Sequence, residues 1–212
     1  MKSFKRALVL SPVVIAVGCA SFSFPDAETA RSIGEQMVSE AYPGMPEALT
    51  RRAAQDPAQR ICSKVGDAKL TPEEAAQVVQ ASSAAFKYPA SNKLAGDWKV
   101  GAKLSADGGG MRIRDGQVEK SKENGALCVN CHALDPKDVN VGNVGPSLTG
   151  YGTQRGNSEA VVKYTYEKIY NAWAYFPCSN MPRLGHNGFL TPEQITHVVA
   201  YLIDPQSPVN KK

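Results

Sequence analysis

Apolar residues recur at helical spacing in stretches on both sides of the run Asp107-Gly108-Gly109-Gly110, which itself breaks any regular element. N-terminal to the break, Thr71-Pro72-Glu73-Glu74 reads as a helix start, with Thr at the N-cap, Pro in the first position and Glu at the third. Ala75, Val78, Val79, Ser82 and Phe86 follow as a mostly apolar stripe, and Pro89 ends it. Shorter helices are expected over 27–40 and 47–64. C-terminal to the break, a helix is expected over 116–131, then a glycine-rich loop over 140–156 holding Gly145-Pro146. A helix over 158–175 shows Val162, Tyr166, Ile169, Tyr170 and Trp173 on one face. The last helix opens on Thr191-Pro192-Glu193-Gln194, buries Ile195, Val198, Val199 and Leu202, and stops at Pro205. The pattern predicts an all-α protein.

The shared segments Leu70-Thr71-Pro72-Glu73 and Leu190-Thr191-Pro192-Glu193, each with paired valines five residues after the Glu, are read as one good capping sequence used twice rather than a duplication, since nothing like C-x-x-C-H recurs in the first half. The first twenty residues differ from the rest. Lys2, Lys5 and Arg6 precede an apolar stretch from Ala7 to Gly18 and then small residues, the order of a secretory signal. That stretch is too short for a permanent bilayer span. Cleavage after Ala20 would discard Cys19, whereas Ala16-Val17-Gly18-Cys19 resembles a weak lipobox in which Cys19 would carry lipid. The expected organisation is a signal at 1–20, a helical extension at 21–107 and a second domain at 108–212, with the mature protein in the periplasm.

The overall charge of +4 comes largely from the leader: without its three basic residues the chain has 21 Lys and Arg against 20 Asp and Glu. A near-neutral mature chain gives no electrostatic case for nucleic acid. A membrane contact is expected only if Cys19 is lipidated.

Cys128-Val129-Asn130-Cys131-His132 carries the chemistry. C-x-x-C-H is the attachment site of a c-type haem: on a helical turn, positions three and four apart share a face, so two thiols and an imidazole address one flat ligand. Cys128 and Cys131 would form thioethers to the vinyl groups and His132 would ligate iron, giving one haem c per chain. A zinc site would need a second ligand pair at short spacing, and none is visible. Pro146 is expected to accept a hydrogen bond from the His132 ring and orient it.

For the other face of the iron the candidates beyond the motif are Met181, His186 and His197, while Met111 precedes it. Met181 sits in a loop stiffened by Pro177 and Pro182, where small class I cytochromes c place their distal Met. A thioether favours ferrous iron and raises the potential. His186, five residues on, is the competitor, and His197 reads as a surface residue of the last helix. Cys62 and Cys178 remain, and in an oxidising compartment they suggest a disulfide, the alternative being two unrelated thiols.

CVNCH, the stretch Asn143-Val144-Gly145-Pro146-Ser147-Leu148-Thr149, the stretch Asn180-Met181-Pro182-Arg183-Leu184-Gly185 and the capped helix at Leu190 together resemble SoxX, the monohaem cytochrome c subunit of the thiosulfate-oxidising SoxAX complex. The resemblance spans roughly residues 113–204 and is most diagnostic around Met181. It implies a class I cytochrome c fold with a helical N-terminal extension, and ligation by His132 and Met181. It further implies a SoxA-like dihaem or monohaem partner subunit, a SoxYZ carrier whose cysteine receives thiosulfate, and a downstream cytochrome c. The chain would then be a non-catalytic electron-transfer subunit of an L-cysteine S-thiosulfotransferase. A free-standing soluble carrier, and a haem protein with an open site for peroxide or a gas, are the competing readings.

Overall fold

Short polar caps start almost every helix in the computed structural model, which describes residues 24–44, 54–64, 69–107, 112–114, 117–119, 125–139 and 141–211. Among them are seven α-helices: α1 (Ala27–Ala41), α2 (Pro57–Ser63), α3 (Pro72–Ala84), α4 (Trp98–Ala106), α5 (Tyr151–Arg155), α6 (Glu159–Tyr170) and α7 (Pro192–Ile203). Strands β1 (Arg112–Arg114) and β2 (Gln117–Glu119) form a small antiparallel pair with Ile113 opposite Val118. The fold is the all-α cytochrome c type expected, with this pair as an appendage.

Capping boxes close at α2, α3 and α7. Thr71 Oγ1 accepts from the Glu74 N–H at 3.2 Å while Glu74 returns a carboxylate to the Thr71 N–H at 3.1 Å. Thr191 and Gln194 repeat the exchange at 3.1 and 2.9 Å. Each cap supplies about 1 kcal/mol, less than the roughly 1.5–3 kcal/mol gained by burying one Val, Leu or Ile side chain. Burial therefore decides which helices belong to the core. Ile195, Val198, Val199 and Leu202 of α7 are all buried, together with Tyr166, Ile169 and Tyr170 of α6, Leu104 of α4 and Leu134. In contrast, no described side chain of α1 is buried, and Ile33 and Met37 face outward.

Three sequence expectations are corrected. A helix over 116–131 is not formed: its described residues hold β2 and a 3₁₀ turn, Cys128–Asn130. The most extensive helix contact of α7 is with α4, N-terminal to the glycine run. The contact depends on glycine, since a Cβ at Gly101 would stand 1.9 Å from the His197 carbonyl oxygen and 2.9 Å from Tyr201 Cβ. The Gly96 N–H donates to the Thr196 carbonyl at 2.9 Å beside it. The glycine-rich stretch over 140–156 is not wholly irregular, because Gly150 and Gly156, at φ +71° and +75°, bracket the short α5. The expected helix over 158–175 divides at Asn171, whose extended backbone ends α6 and whose side chain caps the 3₁₀ turn Ala172–Ala174 at 3.2 Å.

Packing does not divide at Asp107. Tyr166 Oη donates to the Lys87 carbonyl at 2.7 Å, and Tyr88 Oη donates to the buried Glu167 carboxylate, which Tyr175 Oη and Lys163 Nζ also meet. Phe86, Tyr88, Tyr166 and Tyr170 form a run of ring contacts with centroids 5.5–6.4 Å apart. Cys62 and Cys178 are joined in a disulfide with Cα atoms 5.4 Å apart, closing a separation of 116 residues between extension and C-terminal half.

Candidate functional site

The CVNCH segment folds as one tight turn. The backbone N–H groups of Cys131 and His132 both donate to the Cys128 carbonyl, at 3.1 and 2.9 Å. The following loop is stitched back onto this turn: Gly142 N–H to Val129 at 2.9 Å, Gly145 N–H to Cys131 at 2.8 Å and Leu148 N–H to Ala133 at 2.8 Å. Glycine is needed at the first two of the three. A Cβ on Gly142 would lie 1.7 Å from the Asn130 carbonyl oxygen, and one on Gly145 would lie 2.2 Å from His132 Cε1.

His132 Nδ1 stands 2.7 Å from the Pro146 carbonyl oxygen. A carbonyl only accepts, so Nδ1 donates its N–H there and Nε2 is the nitrogen left for a ligand. Cys128 and Cys131 are free thiols, both half-buried. Burial pushes the Cys128 thiol above its ordinary range, the Ser105 hydroxyl of α4 working the other way. Two unoxidised thiols, an oriented imidazole and a glycine cradle under its ring match what a covalently held haem requires of a protein. Among the described residues no group of three or more His, Cys, Asp or Glu side chains is placed to hold a bare metal ion.

Met181 is half-buried in the loop after the turn Ala172–Ala174 and packs against the same core cluster as Cys128. A cavity of about 580 Å³ adjoins both segments: Ala126 lines it from the CVNCH side, and Pro182, Leu184 and Phe189 from the Met181 side. Ala54, Asp56 and Gln59 of the extension close another wall. Cys128, Cys131, His132 and Met181 are not among its lining residues, so the void lies next to the motif rather than at it.

The two competing histidines are engaged elsewhere. His186 Nε2 is 3.3 Å from Asp56 Oδ2. Burial, then the Arg183 charge, hold its pKa below the ordinary 6.5 against the pull of Asp56, so a neutral ring donates through Nε2–H at pH 7. His197 is half-buried at the α4–α7 contact, where its Nδ1 accepts from the Asp97 N–H at 2.8 Å. Met111 lies outside the described residues, as does Cys19.

Sequence reasoning missed Asp56 and Arg183. Arg183 is 4% exposed; its Nη1 is 2.8 Å from Asp56 Oδ2 and its guanidinium lies 4.2 Å from the Trp173 ring centroid. The signature Asp56-Pro57-Ala58-Gln59 marks a helix start, but nothing in it names a partner 127 positions away.

Residues 118–204 match the family described as Cytochrome c. Over 207 residues, 97% of each chain, the protein is 38% identical to a protein of Aquifex aeolicus (strain VF5) described as an uncharacterized lipoprotein. Helical fold, the CVNCH turn and the family match agree, and residues 118–204 carry a cytochrome c domain. Its cofactor is covalently bound haem c, and its function is haem-based electron transfer.

Proposed function

We propose that Cys128 and Cys131 hold the haem and that His132 and Met181 are its axial ligands. The observation that carries this is the pairing of the His132–Pro146 contact with the engagement of His186 by Asp56. The first leaves an imidazole nitrogen aimed away from its anchor; the second ties up the nearest rival to Met181. Haem supplies a one-electron couple between ferric and ferrous iron. The chain's part is to orient His132 and present a neutral thioether that favours the ferrous state. The ferric protein should show the weak long-wavelength charge-transfer band of thioether ligation, and Met181→Ala should abolish it. Persistence of the band in that variant would refute the assignment.

We further propose that the protein serves as the SoxX-type subunit of a thiosulfate-oxidising complex, accepting electrons released when thiosulfate is joined to a carrier cysteine. Support comes from the Met181-Pro182-Arg183-Leu184-Gly185 stretch followed by the capped α7, and from an extension too elaborate for a minimal carrier. Affinity purification from native cells should bring down a second haem-bearing subunit in equal amount. A chain that elutes alone and exchanges electrons by diffusion would favour the free-standing carrier. Carbon monoxide uptake by the reduced protein at neutral pH would favour an open-site haem protein.

Export follows from the leader, and the lipoprotein relative moves the balance at Cys19 toward lipidation. No described helix is long and apolar enough to cross a membrane; on the weak lipobox and the lipoprotein relative, lipid on Cys19 is the anchor proposed. Mass spectrometry of the native N-terminus should find a diacylglyceryl cysteine at position 19; a free terminus beginning after Ala20 would refute it.

A further inference from the structure

One short helix of the extension is tied twice to the loop that carries Met181, once on each side of it. Cys62, in α2, is bonded to Cys178, three residues before Met181. Asp56, the N-cap of the same helix, takes Arg183, two residues after Met181, at 2.8 Å. The two carboxylate oxygens divide the work: Oδ1 accepts the Gln59 N–H at 2.8 Å and closes the cap, while Oδ2 receives Arg183 and His186. The capping box therefore aims the charge that holds the loop.

The loop has modest support of its own. The Met181 N–H reaches Ser179 Oγ at 3.2 Å, and Trp173 Nε1 donates to the Ser179 carbonyl at 2.7 Å while its ring stacks on Arg183. Cys178 sits at φ +59°, a left-handed conformation that a residue with a Cβ keeps only where its surroundings impose it. Arg183 is buried, and a buried charge stays only where its partner stays. Both flanks of Met181 thus depend on groups contributed by α2.

We propose that Asp56, Arg183 and the Cys62–Cys178 disulfide are positioning residues that clamp the 178–183 loop and keep the Met181 thioether on the iron. The inference rests on the reading of Met181 as axial ligand. A thioether is a weak neutral ligand, so its occupancy depends on how narrowly the loop confines it, which is a matter of effective concentration. Loosening the clamp leaves the haem covalently attached and frees one face of the iron.

The test compares the full-length holoprotein with Asp56→Asn, the pair Cys62→Ser/Cys178→Ser, Met181→Ala, and Thr71→Ala as a destabilised control remote from the loop. Readouts are the ferric charge-transfer band, the reduction potential, carbon monoxide uptake by the reduced protein, and hydrogen exchange over residues 178–184. Asp56→Asn should weaken the band, lower the potential, speed carbon monoxide uptake at least tenfold and raise exchange in the loop. The serine pair should do the same more strongly, and Thr71→Ala should change none of the four. Wild-type values in Asp56→Asn overturn the clamp, even where the serine pair does not fold. A band that survives Met181→Ala overturns the axial reading instead, and the clamp with it.

Discussion

The two sides of the proposed haem site are built on opposite plans. The His132 side is local: Cys128 to Leu148 make a turn and a loop that bond to each other through Val129, Cys131 and Ala133. The Met181 side is assembled from afar: Asp56 and Cys62 of the extension reach it across more than a hundred residues. A local site forms with little loop-closure cost and resists distant damage. A site held by long-range ties inherits the stability of everything between them. The attachment turn should therefore survive perturbations that release the Met181 loop.

The largest test of that contrast is Gly145→Ala, which drives a Cβ to 2.2 Å of the His132 ring. Most of the haem-stained product should be lost, and a normal yield with an unchanged spectrum would break the local half of the comparison. Next comes removal of the disulfide. For a 116-residue separation the chain-entropy model gives about 4–5 kcal/mol before native strain, readable by denaturant unfolding of oxidised protein against the serine pair. Haem should remain attached throughout. Arg183→Leu should cost roughly 1–3 kcal/mol, between an exposed pair and a fully buried one, since Asp56 is 30% exposed. Equal stability in Arg183→Leu and wild type would mean the ion pair holds nothing.

Acid sharpens the same contrast. Burial alone would raise the Asp56 and Glu167 pKa values, but hydrogen bonds and nearby charge outweigh it and both lie below their ordinary 3.8 and 4.5. Their stabilisation is complete above those unfolded values and is lost as pH falls through the depressed folded ones. In acid titrations of the ferric protein the Met181 band should fade before the haem environment of His132 changes, and Asp56→Asn should remove part of that difference. The smallest effect expected is from Thr191→Ala, about 1 kcal/mol in thermal or chemical unfolding, with the ligation spectrum unchanged.

Legibility in the sequence followed the same line. Caps at Thr71 and Thr191 were readable because the partner lies three residues on, and the His132–Pro146 contact because it lies within one loop. The helix α4 was missed. Its signal, Asp97 capping the Lys99 N–H at 2.8 Å, is local and present, but its short stripe gains meaning only against α7. The duplicated Leu-Thr-Pro-Glu shows the limit directly. Leu190 is 1% exposed in the core while Leu70 is half-buried, although the three residues that follow each are the same.

By itself the sequence determined the all-α class, haem c as the cofactor, the caps, and Cys128, Cys131, His132 and Met181 as the candidate residues that hold it. All of these rest on residues within a few positions of one another, where covalent geometry leaves few arrangements. Tertiary structure decided that α4 belongs with α7, that His186 is taken by Asp56, and that Arg183 is buried beside Met181, and it turned the Cys62–Cys178 pairing the sequence suggested into a bond. Those pairings follow from how the whole chain buries its apolar faces at once, and no short stretch of residues encodes them.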